Sequence, residues 1–320
     1  MNTRNTILGL IALTLTACST LAQWTAPDKE KKWSHTKEYR QAEGLFWKSF
    51  HSGQYQNIPG LLELFKRIYS ENPGHYKAAA RIGFLHTWAL SERRRMKVIP
   101  ATIIDHASLC QKYFKEAYQL KDDPRYLGFW ASCTLAEAEI HGQERDLRKG
   151  FFMMKDAISD WPQFNYFTGG YVLSNRKADD DLLDLAIDWQ WKNLDVCTGE
   201  SVNRDNPDYS QYMNQETKKG VMRACWNSKK APHNFEGFFL NMGDLLVKKG
   251  KVETAKKIYK NAKLSKNYST WPYRQVLENR IAQADKNVEE FRKEFKAGEI
   301  PGHPMMMFNT SYSCMACHQK

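Results

Sequence analysis

Residues 238–267, FFLNMGDLLVKKGKVETAKKIYKNAKLSKN, show most clearly how this chain is expected to fold. Apolar residues recur in this segment at spacings of three and four, which is the period of an amphipathic helix. Gly243 and Ala255 are small enough to let two such helices approach closely, and the ring of Tyr259 can fill the space toward the next pair. The segment therefore predicts two helices packed side by side.

The same segment resembles a tetratricopeptide repeat (TPR) when Gly243 is set at the glycine position of that family. Six other residues then fall in register on the packing positions of the two helices: Phe239, Met242, Leu246, Ala255, Tyr259 and Ala262. Asn267 departs from the pattern, because the family usually has proline there. The resemblance implies a helical-repeat protein in which each helix pair packs on its neighbours.

Helical signals continue along most of the chain. Segments such as EYRQAEGLFWKSF and HYKAAARIGFLHTWALSE repeat the same spacing, and no segment alternates as a strand would. Helix pairs are expected to begin near residues 36, 75, 125, 164, 234 and 271, with longer insertions at about 90–100 and 197–232. The prediction is an all-α protein, an irregular, right-handed, TPR-like α-solenoid of antiparallel helix pairs over residues 36–297, after a linker at 18–35.

The N-terminal residues have the features of an export signal. One positive charge precedes an apolar run, Thr6–Ala17, that is too short to span a bilayer as a mature helix. The run ends in LTAC, which resembles the lipobox of bacterial lipoproteins and implies a signal peptide over residues 1–17 with a lipidated Cys18. Ser19 then favours an outer-membrane or periplasm-facing lipoprotein. Ordinary cleavage after Ala22, giving a soluble periplasmic protein, is the alternative.

Cysteine usage agrees with export. Of the seven cysteines, Cys18 is either lipidated or removed with the signal, and two belong to a motif close to the C-terminus. The remaining four can form two disulfides in an oxidising compartment. The favoured pairs are Cys110–Cys133, at similar distances from the turn at 120–124, and Cys197–Cys225, around a polar insertion. Four buried thiols are the alternative.

The chain is basic and aromatic. Its formal charge is +11, which removal of the signal would lower by one. Such a surface favours acidic protein partners or an anionic membrane, reached here through the lipid anchor. Nucleic acid is not expected as a partner, because the lysines are dispersed and an exported protein rarely meets it. Ten tryptophans and 13% aromatic residues predict a large core.

Residues 298–320 lack the helical pattern and are rich in glycine and proline, which predicts an extended arm leaving the solenoid. The arm contains the Cys-x-x-Cys-His motif, residues 314–318. This motif resembles the haem-attachment site of c-type cytochromes. The resemblance implies that Cys314 and Cys317 form thioethers to one haem c, and that His318 binds the iron as the proximal axial ligand.

Other uses of the two cysteines fit less well. A thioredoxin-like disulfide centre requires a strand before the motif and a helix after it, and only three residues of this sequence follow. A zinc site requires two further ligands, and the other cysteines are distant. Class II four-helix cytochromes and the cytochrome P460 group also carry the motif late in the chain. Against class II cytochromes, the residues before Cys314 do not have the pattern of a long amphipathic helix. Against the cytochrome P460 group, the chain lacks strand patterning.

The resemblance leaves the second axial ligand of the iron open. The predicted candidates lie within about a dozen residues of His318 and are Met305, Met306 and Met307, followed by His303. Methionine opposite histidine raises the reduction potential. Core filling is the alternative role of the three methionines.

No catalytic constellation is apparent in the sequence. Asp179–Asp181 is expected to lie at a helix N-terminus, and His86 and His106 are expected to be packed or surface residues. The preferred hypothesis is an exported monohaem c-type cytochrome that carries single electrons, with the helical repeats docking a redox partner. The alternatives are an assembly scaffold with a structural or sensing haem, and a haem enzyme with an open iron site. Self-association through the haem arm is a further expectation.

Overall fold

The computed structural model describes residues 21–22, 24–31, 33–231, 233–293 and 303–318. Its regular elements are helices, and no strand occurs in these residues. The predicted signal peptide and the predicted lipidation site Cys18 lie outside them. Within the described part of the chain, no helix combines the length and the apolar character needed to cross a membrane.

Fourteen α-helices occur in the described residues, and twelve of them form six successive pairs. In chain order the helices are α1 (Lys37–His51), α2 (Ile58–Glu71), α3 (Tyr76–Ser91), α4 (Asp105–Leu120), α5 (Pro124–His141), α6 (Glu144–Asp160), α7 (Pro162–Val172), α8 (Asp181–Thr198), α9 (Arg223–Trp226), α10 (Glu236–Lys248), α11 (Val252–Asn261), α12 (Arg274–Ala282), α13 (Ala284–Arg292) and α14 (Met315–His318). The pairs begin at residues 37, 76, 124, 162, 236 and 274, close to the predicted starts.

Successive helices pack on one another from α1 to α8 and again from α10 to α13. Helix α10 also packs on α8, which joins the two runs. Contacts of α5 with α7 and of α11 with α13 link alternate helices, as a stack of helix pairs requires. The all-α, helical-repeat fold class predicted from the sequence is confirmed.

The ends of α8 show why local sequence sets the helix boundaries. The carboxylate of Asp180 accepts a hydrogen bond from the amide of Leu182 at 2.8 Å and caps the helix. The acidic run Asp179–Asp181 therefore lies at a helix N-terminus, as expected. Gly199 ends the helix with φ of +79°, a left-handed conformation that glycine adopts without strain.

Helix α10 is enclosed on all sides, and every residue from Glu236 to Lys248 is buried. The six residues matched to repeat packing positions are all buried as well. A Cβ atom on Gly243 would stand 2.2 Å from Cε1 of Tyr259, so glycine allows α11 to approach α10. The ring of Tyr259 fills this gap within the pair, whereas the sequence placed it toward the next pair.

Two disulfides connect helices. Cys110 in α4 is bonded to Cys133 in α5, with 5.9 Å between the Cα atoms. Cys197 in α8 is bonded to Cys225 in α9, with 5.7 Å between the Cα atoms. These are the two pairs favoured by the sequence, and the second one closes the long insertion between α8 and α9.

The described tail, residues 303–318, lies between the first and the last helix pairs. Met306, Met307, Ala316 and Cys317 join the core around α8, α10 and α11, and Met315 joins the core of α1 to α3. The sequence predicted an arm leaving the solenoid. The described tail has mostly coil and turns, but it packs against the helices because its methionines bury apolar surface there.

Candidate functional site

One helical turn carries the Cys-x-x-Cys-His motif. The amides of Cys317 and His318 donate to the carbonyl of Cys314 at 3.2 and 3.0 Å, which closes the turn. Residues three and four apart share a helix face, so this bonding places both cysteines and the histidine on one side. Met315 and Ala316, on the other side, are 0% and 1% exposed. The two thiols and the imidazole therefore share a face, while the intervening residues anchor the turn in the core.

Glu92 holds the beginning of the turn. Its Oε1 atom accepts hydrogen bonds from the amides of Cys314 and Met315, both at 2.9 Å. Its Oε2 atom accepts from the indole of Trp88 at 2.9 Å and from Arg95 at 2.7 Å. Burial raises the pKa of Glu92, and the Arg95 charge and the amide donors oppose this rise. The carboxylate thus joins the end of α3 to the motif.

Asp244 holds the tail at a second point. Its carboxylate accepts from the amide of Met307 at 2.7 Å, from the hydroxyl of Tyr259 at 2.6 Å and from Arg280 at 3.0 Å. The Arg280 guanidinium also donates to the carbonyl of Met305. Asp244 is fully buried, and burial raises its pKa while Arg280 opposes the rise. The motif is therefore preceded by a segment fixed to α10 and α12.

The start of α10 forms one wall of the site. A Cβ atom on Gly237 would stand 2.4 Å from Sγ of Cys317 and 2.6 Å from the carbonyl oxygen of Ala316. The indole of Trp271 donates to that same carbonyl at 2.9 Å. Glycine is thus required at position 237 for the motif to reach α10.

Aromatic rings surround the rest of the motif. The ring of His318 lies 4.7 Å from that of Phe50 at the end of α1. Burial raises the pKa of Tyr171, in α7, well above its usual value, and charge at Cys314 or Cys317 would raise it further. The ring of Tyr171 also lies 5.0 Å from that of Phe308, in the tail before the motif.

Beside the motif lies a cavity of about 370 Å³. Trp271, which binds Ala316, lines it, as does Glu236, which precedes Gly237. Its charged lining residues are Lys218, Lys229, Lys266, Glu216 and Glu236. The lysines outnumber the acids, so the cavity favours anionic groups next to the motif.

The sulfur atoms are poorly placed for redox chemistry of their own. Cys314 and Cys317 are not joined by a disulfide. Burial raises the pKa of Cys314 well above its usual value, and the negative charge of Glu92 acts in the same direction. A thiol held protonated in this way is a weak nucleophile, unlike the reactive cysteine of a disulfide oxidoreductase.

The predicted distal ligands of the iron, three methionines and one histidine, differ in their surroundings. Met305, Met306 and Met307 are 8%, 4% and 0% exposed, which agrees with the core-filling alternative. Nδ1 of His303 is in contact with the carboxylate of Glu290. That one of these four residues binds iron stays a prediction.

The structure also shows residues that the sequence did not single out for the site. His233 lies just before α10 in a buried aromatic cluster, and Glu92 and Asp244 are the two carboxylates that hold the tail. His86 and His106 pack together, with their Nδ1 atoms 2.8 Å apart.

Comparisons of the chain with protein-family models, with curated proteins and with solved structures found no match. Among the described residues, no group of three or more histidine, cysteine and acidic side chains is arranged to hold a metal ion. The chemistry of the site therefore has to be deduced from its own residues. Two thiols and an imidazole on one face of a helical turn are the donor set required for covalent attachment of a haem.

Proposed function

We propose that this protein is an exported monohaem c-type cytochrome that carries single electrons, built on a TPR-like helical scaffold. The observation that supports it most strongly is the helical turn of the motif. Cys314, Cys317 and His318 share one face of this turn, and Met315 and Ala316 are buried on the other. This arrangement suits covalent attachment at two sulfurs and iron binding at one imidazole.

Covalently bound haem supplies the one-electron couple of iron between its ferric and ferrous states. Cys314 and Cys317 would hold the group, and His318 would bind its iron. Glu92 and Asp244 keep the attachment turn in place through hydrogen bonds to its amides and to the segment before it. With haem bound, the protein would accept one electron from a reduced donor protein and pass it to an oxidised acceptor protein.

The helical body would dock the redox partners. The formal charge of +11 favours a partner with an acidic surface. Lipid attachment at Cys18 would keep the protein at a membrane surface on the periplasmic side or at the outer membrane. Two disulfides, Cys110–Cys133 and Cys197–Cys225, support an oxidising compartment.

Mass spectrometry of protein matured together with a cytochrome c assembly system tests the proposal. The wild-type chain should carry the added mass of one haem, resistant to acid–acetone extraction. A Cys314→Ala/Cys317→Ala double variant, produced in the same cells, should have the mass of its bare polypeptide. A bare mass for the wild-type chain would overturn the proposed function.

A further inference from the structure

We infer that His233 is the second axial ligand of the iron, because its buried ring lies in an aromatic cluster next to the Cys-x-x-Cys-His turn and its Nδ1 atom has no hydrogen-bond partner in the part of the chain that the structure describes. The inference rests on the proposed function, since it requires a haem at Cys314 and Cys317. It assigns this role to a residue of the long insertion before α10 instead of to His303 or the three methionines, Met305, Met306 and Met307.

The position of His233 in the sequence places it close to the motif. The residue lies four positions before Gly237, whose backbone is in close contact with Cys317. The same loop reaches α1, because the carbonyl of Lys229 lies 2.9 Å from Nε2 of His51, next to Phe50. Phe50 in turn contacts the ring of His318. The loop that carries His233 thus borders both a cysteine and the histidine of the motif.

Ring contacts connect His233 to the face that carries the sulfur atoms. Its ring stacks on Phe167 at 4.3 Å between centroids, and Phe164 lies 5.0 Å away. Phe167 also lies 5.9 Å from Phe238, the residue next to Gly237, which is in close contact with Cys317. A cluster of flat aromatic rings with one imidazole suits the surface of a planar macrocycle.

The chemical state of His233 also fits a ligand. Its side chain is 7% exposed, and Nδ1 has no hydrogen-bond partner among the described residues. A buried polar atom left without a partner destabilises a fold, and a bond to iron would satisfy it.

Other candidates have interactions that compete with iron binding. Nε2 of His51 is engaged with the Lys229 carbonyl, and Nδ1 of His303 is in contact with the carboxylate of Glu290. The thioethers of Met305, Met306 and Met307 are buried in the core, with side chains that are 8%, 4% and 0% exposed. Nδ1 of His233 is a buried nitrogen that would gain a partner from iron.

Spectroscopy of the haem-loaded protein tests the assignment. The wild-type ferric protein should be low-spin. His233→Gly should become high-spin and bind carbon monoxide readily in the ferrous state, and added imidazole should restore the low-spin spectrum. His233→Met should introduce the near-infrared band of methionine-ligated ferric haem and raise the potential. A matched control, His141→Asn at an exposed histidine that ends α5, should leave the spin state unchanged.

The outcomes separate the two proposals. A wild-type chain without covalent haem overturns the proposed function and this inference with it. A haem-loaded His233→Gly protein that stays low-spin without imidazole overturns this inference alone. If His233→Gly does not fold, the His233→Met variant tests the inference instead. A His233→Met spectrum identical to that of the wild type would overturn the inference, because the ligand would then be another residue. A triple Met305→Leu/Met306→Leu/Met307→Leu variant that loses the low-spin spectrum would also overturn it.

Discussion

The carboxylate of Glu92 accepts a hydrogen bond from the amide of Cys314 across 222 residues of chain. Asp244 makes the corresponding contact with Met307, 63 residues further along. Each of these buried carboxylates also binds an arginine and an aromatic donor. Two buried carboxylates, each with an arginine and an aromatic donor, therefore hold the tail at Met307 and at Cys314, on either side of residues 308–313.

Replacement of Glu92 tests the first of these pairs. Glu92→Ala leaves the amides of Cys314 and Met315 and the indole of Trp88 without their acceptor and removes a charge partner of Arg95, so the free energy of unfolding should fall by about 3–5 kcal/mol. Glu92→Gln keeps one amide oxygen as an acceptor and should lose less. Urea denaturation measures both. Glu253→Ala, at a side chain that is 81% exposed, should change stability by about 0.5 kcal/mol or less. Equal losses at positions 92 and 253 would contradict the anchoring role.

A methyl group at Gly237 should displace the motif. In Gly237→Ala the new Cβ would overlap with the backbone of Ala316, which cannot move as a flexible side chain can. We expect a loss of about 1–3 kcal/mol, with faster hydrogen exchange at residues 314–318. Gly44→Ala is the matched control, because no atom lies within 4 Å of its Cβ position and α1 gains helix propensity. Unchanged exchange in the motif would show that the turn does not dock on α10.

The ion pair between Glu43 in α1 and Arg81 in α3 should make stability depend on pH. Burial opposes ionisation, but the bonds from Arg81 prevail and lower the pKa of Glu43 to about 2, from 4.5. The carboxylate's contribution is then complete above pH 4.5 and is lost as pH falls toward 2. The stability gap between wild type and Glu43→Gln should narrow by about 3 kcal/mol over this range in urea titrations. A constant gap would mean that the pKa of Glu43 is not lowered.

Membrane attachment should depend on Cys18. If lipid is attached there, Cys18→Ala should move the protein from the membrane fraction to the soluble fraction while its folded core is retained. Fractionation followed by immunoblotting measures the change. Ser19→Ala, one residue later, should remain with the membrane. Membrane association that survives Cys18→Ala would exclude lipidation at this residue.

The fold could be predicted from local sequence patterns. Turn residues and the spacing of apolar side chains place the helix starts, because helix boundaries depend on neighbours within one turn. The cysteine pairs follow from the same argument, since antiparallel helices on either side of a short turn bring Cys110 and Cys133 to one level. These features need no knowledge of distant partners.

The packing of the tail could not be predicted in this way. Glu92 and Asp244 each stand alone in a helical segment, where an acidic residue ordinarily faces solvent. Their partners in the tail are far away in sequence, and only the stacking of six helix pairs brings them together. His233 likewise follows a polar insertion and carries no local pattern, and its burial is visible only in three dimensions.

Phe50 and His318 are far apart in the sequence but in contact in the folded protein. This separation sets the order in which parts of the protein fold and dock. The turn that carries the cysteines can dock only after the intervening helices have folded, because those helices position its binding surface. Once it has docked, Cys317 is 9% exposed, and burial raises the pKa of the Cys314 thiol. If haem is attached as proposed, its thioether bonds would therefore form before docking, and the closing of the tail onto Glu92 would complete maturation.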